Sequence, residues 1–167
     1  MNYVDVIKSR RSIRSYLDKE VAKEHIEELL EEAILAPSAY NRQPWRFVLM
    51  NGSSKNWIAD TMEQEDVKTK RTAIAMRQAP IIILILNAEK ESCLEDLMSI
   101  GGMIEQFCLS ATNLGFGTLW MTHPLVIKKQ IREHFNLEYE LVSIIAVGYP
   151  EYIPENRPRK ELEEVLI

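Results

Sequence analysis

Six consecutive apolar residues, Ile81 to Leu86, constrain the fold of this chain more than any other segment. Four of the six are isoleucine, a β-branched residue that favours strands. Because the run contains no polar position, it predicts a strand that is buried on both faces of its sheet. The rest of the chain must then supply partner strands and helices that cover this strand.

Helical and strand patterns follow one another along the chain without strict alternation. The predicted helices have apolar residues at helical spacing and cover residues 3–9, 22–36, 94–114 and 127–135. Three further strands are predicted over residues 45–50, 118–121 and 141–147. Residues 53–78 are charged and only weakly helical in pattern. This order favours an α+β fold in one domain, residues 1–167, over a doubly wound fold.

The longest predicted helix has Gly101 and Gly102 in its middle. A glycine inside a helix costs about 1 kcal/mol relative to alanine. Close packing against another helix or a cofactor would offset that cost. The pair therefore predicts a tight contact at this point of the helix.

Charge and composition argue against several classes of partner. The chain has 20 Lys and Arg against 25 Asp and Glu, a net charge of -5, which does not favour binding to nucleic acid. Its longest apolar run is far too short to cross a membrane. Cys93 and Cys108 lack metal-ligand spacing and are expected to be reduced thiols, so we expect no metal site and a cytoplasmic protein.

Two clusters of arginine stand near opposite ends of this acidic chain. The first is Arg10-Arg11-Ser12-Ile13-Arg14, and the second is Arg157-Pro158-Arg159-Lys160. Arginine suits forked, bidentate binding of phosphate. Either cluster alone would fit a solvated basic surface, but together they predict one dianionic ligand held from both sides.

Three further motifs occur in order between these clusters. The loop Ala36 to Trp45 is rich in small and amide side chains, and amides pair well with a heterocycle that offers both donors and acceptors. Leu114-Gly115-Phe116-Gly117-Thr118 and Val147-Gly148-Tyr149-Pro150 follow it. With the two arginine clusters, this ordered set resembles the nitroreductase family of FMN-dependent oxidoreductases.

The resemblance implies a particular architecture. The family has a mixed central β-sheet flanked by helices, and two chains intertwine as a homodimer. The long helix with Gly101 and Gly102 would lie in the interface, and the tail, about residues 150–167, would extend onto the partner. Glu163 to Ile167 would add an edge strand there. Two FMN sites would form between the subunits.

The resemblance also implies the residues that bind FMN. The phosphate and the ribityl chain would be bound by Arg10, Arg11, Ser12, Arg157 and Arg159. Arg14 would lie beside the pyrimidine ring. The loop that covers the flavin from the other subunit would use Pro37, Ser38, Ala39, Asn41 and Gln43. The segment under the isoalloxazine ring would be Trp120, Met121 and Thr122.

The activity implied is two-electron reduction of a nitroaromatic, a quinone or a related small acceptor by NADH or NADPH, in a ping-pong cycle. The flavin would carry the chemistry, so no side chain is assigned as catalytic, and Arg14 would give electrostatic support. His123 follows the flavin segment and is a candidate for the substrate pocket. Where many relatives have Asn and Lys against the flavin, this chain has Arg71 to Ala75.

Two other functions fit the sequence. The same fold would also suit an FMN-binding module for delivery or sensing without turnover. A chain without flavin would be an acidic interaction protein.

Overall fold

Four strands form one sheet with the order β1-β2-β4-β3 in a computed structural model that describes residues 1–89 and 93–167. The strands are Trp45–Met50 (β1), Ile81–Asn87 (β2), Gly117–Met121 (β3) and Glu140–Gly148 (β4). Each neighbouring pair is antiparallel, with Trp45 opposite Asn87 and Gly117 opposite Gly148. Strand β2 lies inside the sheet, as its unbroken apolar sequence predicts.

The side chains of β2 divide between two hydrophobic cores. Ile82, Leu84 and Leu86 join the core on one face, and Ile83 and Ile85 join the core on the other. This alternation follows from the two-residue period of a strand. The prediction that this strand is buried on both faces is therefore confirmed.

Helices cover both faces of the sheet. Their bounds are Tyr3–Ser9 (α1), Lys23–Ala33 (α2), Gly52–Glu65 (α3), Lys70–Gln78 (α4), Leu94–Asn113 (α5) and Lys128–His134 (α6). Helices α3, α4 and α6 contribute to one core, and α2 and α5 to the other. The weakly helical segment 53–78 thus forms two helices, α3 and α4. Gly115, just after the end of α5, has a φ of 83°, which suits the left-handed residue that commonly follows a helix.

The α+β class is confirmed, but the sheet is not mixed. All four described strands pair antiparallel, and parallel pairing among the described residues occurs only at the isolated bridge between Ser12 and Thr118. Only the connection from β2 to β3, which contains α5, joins strands that are not neighbours in the sheet. In the single chain, Leu162–Glu164 is a 3₁₀ turn, and the edge strand expected for Glu163 to Ile167 on the partner stays a prediction.

Helices α5 and α1 both expose apolar side chains. On α5, Leu97 is 41% exposed and Met98 is 68% exposed, and nothing lies within 4 Å of a Cβ added at Gly102. On α1, Val4 and Ile7 are exposed as well. A Cβ added at Gly101 would make only an ordinary contact, 3.8 Å from Cη2 of Trp120, so packing within the same chain does not require either glycine.

Candidate cofactor site

The segment that carries the first arginine cluster is fixed along the edge of the sheet. The Ile13 amide donates to the Thr118 carbonyl at 2.9 Å, next to the bridge between Ser12 and Thr118 on β3. Further along, the Leu17 amide donates to the Tyr149 carbonyl at 2.9 Å. These bonds hold residues 10–17 between β3 and the segment that follows β4.

Two glycines make room for this segment. A Cβ at Gly117 would lie 2.6 Å from Cγ1 of Ile13, and a Cβ at Gly148 would lie 2.9 Å from Cδ1 of Tyr16 and 2.5 Å from Cδ of Pro80. Such contacts are far inside van der Waals separation, so any side chain at either position would push the segment away. The glycines of both motifs are thus explained by the close approach of the segment that carries the arginines.

Gly148→Ala is expected to destabilise the protein, because the new Cβ would overlap the Pro80 ring and the buried Tyr16 ring. Overpacking of this kind costs about 1–3 kcal/mol, which corresponds to a fall in Tm of roughly 2–12 °C for a domain of this size. Thermal unfolding followed by circular dichroism measures it. Pro80→Ala in the same chain should recover part of the loss, and an unchanged Tm in the single variant would contradict the close contact.

The two arginine clusters meet in one concavity of about 180 Å³, which we call the arginine concavity. Its lining residues come from both ends of the chain and from α4: Arg10, Arg11, Ser12, Arg14, Arg71, Tyr152, Pro154, Glu155, Asn156, Arg157 and Arg159. Six arginines thus face one carboxylate, that of Glu155. The predicted meeting of the two clusters is what the structure shows.

The arginines retain unused capacity to bind an anion. The Arg11 Nη1 donates to the carbonyls of Lys8 and Arg10, but its buried Nε has no hydrogen-bond partner among the described residues. A buried donor without a partner is costly, and an anionic ligand would satisfy it. Within the arginine concavity, partial burial and the nearby charges of Arg71 and Arg157 lower the pKa of Arg14. Excess positive charge and an orphaned donor both fit a phosphate dianion.

A second concavity of about 310 Å³ adjoins the first and shares Arg10 and Ser12 with it. Trp120 and Cys108 also line it, and Glu105 there pairs with Arg10 at 3.1 Å. Burial raises the pKa of the Cys108 thiol to about 11, so the thiol is neutral near pH 7 and is not an activated nucleophile.

The predicted flavin segment, residues 120–122, has side chains both at the surface and in the core. Trp120 is partly exposed and Thr122 is exposed, but the Met121 side chain packs in the core. The Met121 carbonyl accepts a bond from the Ser143 hydroxyl at 2.8 Å. Any contact of Met121 with a cofactor would therefore involve its backbone.

The loop of residues 37–43 lies apart from the arginine concavity. None of its residues lines either concavity. Three of them, Tyr40, Asn41 and Gln43, have φ between 50° and 55°, a strained conformation for residues other than glycine. One chain thus does not bring Pro37, Ser38, Ala39, Asn41 and Gln43 together with the arginines.

This loop is fastened to the first turns of α5. The Ala39 amide donates to the Ser99 hydroxyl at 3.1 Å, and Arg42 pairs with the buried Asp96 at 2.7 Å. Hydrogen bonds from the Cys93 thiol and from Arg42 lower the pKa of Asp96. The strained conformation is therefore held in place by polar contacts with the helix.

Sequence reasoning missed Arg71 and the tail residues Tyr152, Glu155 and Asn156 as lining residues of the arginine concavity. Arg71 lies in a charged segment, and only the packing of α4 against the N-terminal segment distinguishes it from its basic neighbours. Within the described residues, no helix is long and apolar enough to span a bilayer, and no three acidic, histidine or cysteine side chains form a group able to hold a metal.

Comparison with known proteins places this site in a family. Residues 7–149 match the model of the nitroreductase family. A Methanothermobacter thermautotrophicus protein, provisionally named an NADH dehydrogenase/NAD(P)H nitroreductase, is 30% identical over 94% of this chain and 82% of its own length.

Solved structures agree in fold over the whole chain. A Desulfovibrio desulfuricans protein, provisionally named a nitroreductase and solved in complex with FMN, is 26% identical with a TM-score of 0.86, covering 100% of this chain and 96% of its own. A nitroreductase-like protein from Bacillus cereus is 28% identical with a TM-score of 0.86, covering 100% and 95%. With its arginine clusters and glycine motifs in the family's order, the chain belongs to the nitroreductase family.

Proposed function

We propose that this protein is an FMN-dependent oxidoreductase that uses NADH or NADPH to reduce a small organic acceptor by two electrons. The observation that supports this most is the arginine concavity, in which six arginines from distant parts of the chain surround one carboxylate. A relative of the same fold, 26% identical, was solved with FMN. The phosphate of FMN is a dianion of the kind that such a cluster binds.

The residues present fit this cofactor. Arg10, Arg11, Arg157 and Arg159 would hold the phosphate, with the orphaned Nε of Arg11 as one of the donors. Arg14 and Arg71 would lie toward the pyrimidine ring. When bound, FMN supplies hydride transfer at its N5 atom, and the protein supplies binding, orientation and electrostatics.

The acceptor we propose is a nitroaromatic, a quinone or a related conjugated compound, used in a ping-pong cycle in which donor and acceptor occupy one pocket in turn. The test is oxidation of NADH and of NADPH by the FMN-reconstituted protein, with and without each acceptor. Parallel lines in double-reciprocal plots at several donor concentrations are expected. A protein that binds FMN tightly but oxidises neither donor would instead be a delivery or sensing module.

We also propose that the working form is a homodimer. The arginine concavity, at about 180 Å³, is smaller than the roughly 300–1,000 Å³ typical of small-molecule sites, and the loop of residues 37–43 does not reach it. Pairing through α5 would cover the exposed Leu97 and Met98 and would bring this loop to the partner's concavity. Tail residues between Tyr152 and Arg159 line the concavity of their own chain, so the tail beyond Arg159 would be the part that reaches across the interface.

Arg14→Ala is expected to lower the midpoint potential of bound FMN, because the reduced flavin carries negative charge that loses a cationic neighbour. A charge pair at 4 Å is worth about 1 kcal/mol in bulk water and about 4 kcal/mol near a protein surface, or about 20 to 90 mV for a two-electron couple. Spectroelectrochemical titration at full flavin occupancy measures it. Arg159→Ala, at the phosphate end, serves as the control and should leave the potential unchanged.

A further inference from the structure

His123 is held in one orientation by a hydrogen bond from a different element. Its Nδ1 lies 2.7 Å from the Thr72 hydroxyl, and the two residues are 51 positions apart in the chain. His123 begins the 3₁₀ turn His123–Ile127 directly after β3, and Thr72 is on α4. The ring is exposed, and within the described parts of the chain it makes no further hydrogen bond. Its Nε2 is therefore open to solvent or to a ligand.

The same hydrogen bond joins two elements that form the candidate site. Arg71, the residue before Thr72, lines the arginine concavity, and Trp120, three residues before His123, lines the adjoining one. The bond thus fixes the imidazole against α4, directly after β3, although neither His123 nor Thr72 lines either concavity of the single chain. Of the three histidines, His123 alone has this placement, since His25 packs beside Phe116 and His134 stacks on Trp57.

From this placement we infer that His123 is the proton donor to the acceptor, with Thr72 as its positioning residue. The inference rests on the proposed function, which supplies the hydride. In a quinone, one carbonyl oxygen takes the hydride and forms an O–H bond, while negative charge develops on the other oxygen. As that charge develops, the Nε2–H bond of the imidazolium breaks and its proton bonds to the second oxygen, so the product is the hydroquinone.

Protons and electrons balance over the whole reaction. NAD(P)H is oxidised, the quinone takes up two electrons as hydride and one proton, and the neutral imidazole regains its proton from water, to which the exposed ring has access. In this proposal the Nδ1–H donates to the Thr72 oxygen throughout, which a threonine hydroxyl allows because it can accept as well as donate. This bond leaves Nε2 as the atom that loses and gains the proton.

Stopped-flow kinetics of the two half-reactions test the proton transfer. In the FMN-loaded protein, His123→Gln should slow reoxidation by benzoquinone at least tenfold, since a general acid contributes about a hundred- to ten-thousandfold. Reduction by NAD(P)H should be unchanged, because this step takes hydride alone. His25→Gln is the matched control and should alter neither step.

Unchanged reoxidation in His123→Gln, with flavin reduction intact, would overturn the inference and leave the proposed function standing. Failure of the parent protein to bind FMN or to be reduced would instead count against the proposed function. A tenfold loss that 50 mM imidazole restores in His123→Ala would support the donor role directly.

Imidazole ¹⁵N NMR tests the role of Thr72 without turnover. The neutral His123 ring should show Nδ1 protonated and Nε2 unprotonated. In the Thr72→Val variant, His123 should lose this tautomer preference, and the melting temperature should equal that of the parent protein. Added hydroquinone, which the oxidised protein does not reduce, should shift the His123 signals and leave those of His25. A parent ring protonated on Nε2 when neutral, or unmoved by hydroquinone, would contradict the assignment.

Discussion

The double variant Arg11→Ala, Arg159→Ala is expected to bind FMN between a hundredfold and ten-thousandfold more weakly than the parent. Each arginine would give at least one hydrogen bond to a dianionic phosphate, worth about 1.5–3 kcal/mol, or ten- to a hundredfold in affinity. The two residues come from opposite ends of the chain and line the same concavity. Quenching of free flavin fluorescence on binding measures the affinity of each variant.

Lys160→Ala is the matched control for this loss. Lys160 follows Arg159 and is exposed, but it does not line the arginine concavity. Its removal takes away the same charge and should leave the affinity within about threefold of the parent. Equal losses in Lys160→Ala and Arg159→Ala would mean that general electrostatic attraction, rather than a specific clamp, holds the cofactor.

Gly102→Leu is expected to dissociate the proposed dimer and to release FMN with it. In one chain nothing lies within 4 Å of the new Cβ, so the fold itself should tolerate the leucine. In a two-fold symmetric interface the residue occurs twice. At about 1–3 kcal/mol for each overpacked site, the dimer should weaken by roughly thirtyfold to more than ten-thousandfold. Sedimentation at several concentrations, with and without FMN, measures it.

Glu28→Leu provides the comparison, because it adds the same side chain to an exposed position on α2. Its dimer should be as tight as that of the parent. A Gly102→Leu chain that remains dimeric would place α5 outside the interface. A monomer that binds FMN at full strength would show that one chain holds the complete site.

Sequence patterns predicted those parts of the molecule that depend on local physics. Strand β2 follows from an unbroken apolar run, and the helix Leu94–Asn113 follows from apolar residues at helical spacing. The two arginine clusters predicted a shared anion site because their charge is concentrated in an acidic chain. The glycine motifs were recognised only by resemblance, and their cause, the space needed by Ile13 and Tyr16, becomes visible in the structure.

Other features depend on contacts between distant residues. The position of Arg71 is set by the packing of α4 against the N-terminal segment, for which no local pattern exists. The antiparallel pairing of every strand depends on which strands become neighbours in the sheet, which is a tertiary property. The distance between the loop of residues 37–43 and the arginines is also a tertiary property, because both segments have sequences suited to the same ligand.

The hydrogen-bonded contact between residues 10–17 and the chain after β4 bears on how the protein is made. Ser15 donates to Glu151, a partner 136 positions later, and Tyr16 forms a bridge with Pro150. A ribosome must therefore synthesise nearly the whole polypeptide before the first arginines reach their places. Closing so long a loop is entropically costly and comes late in folding. A nascent chain that ends before Arg157 would lack half of the phosphate site, so FMN should be taken up after translation has finished.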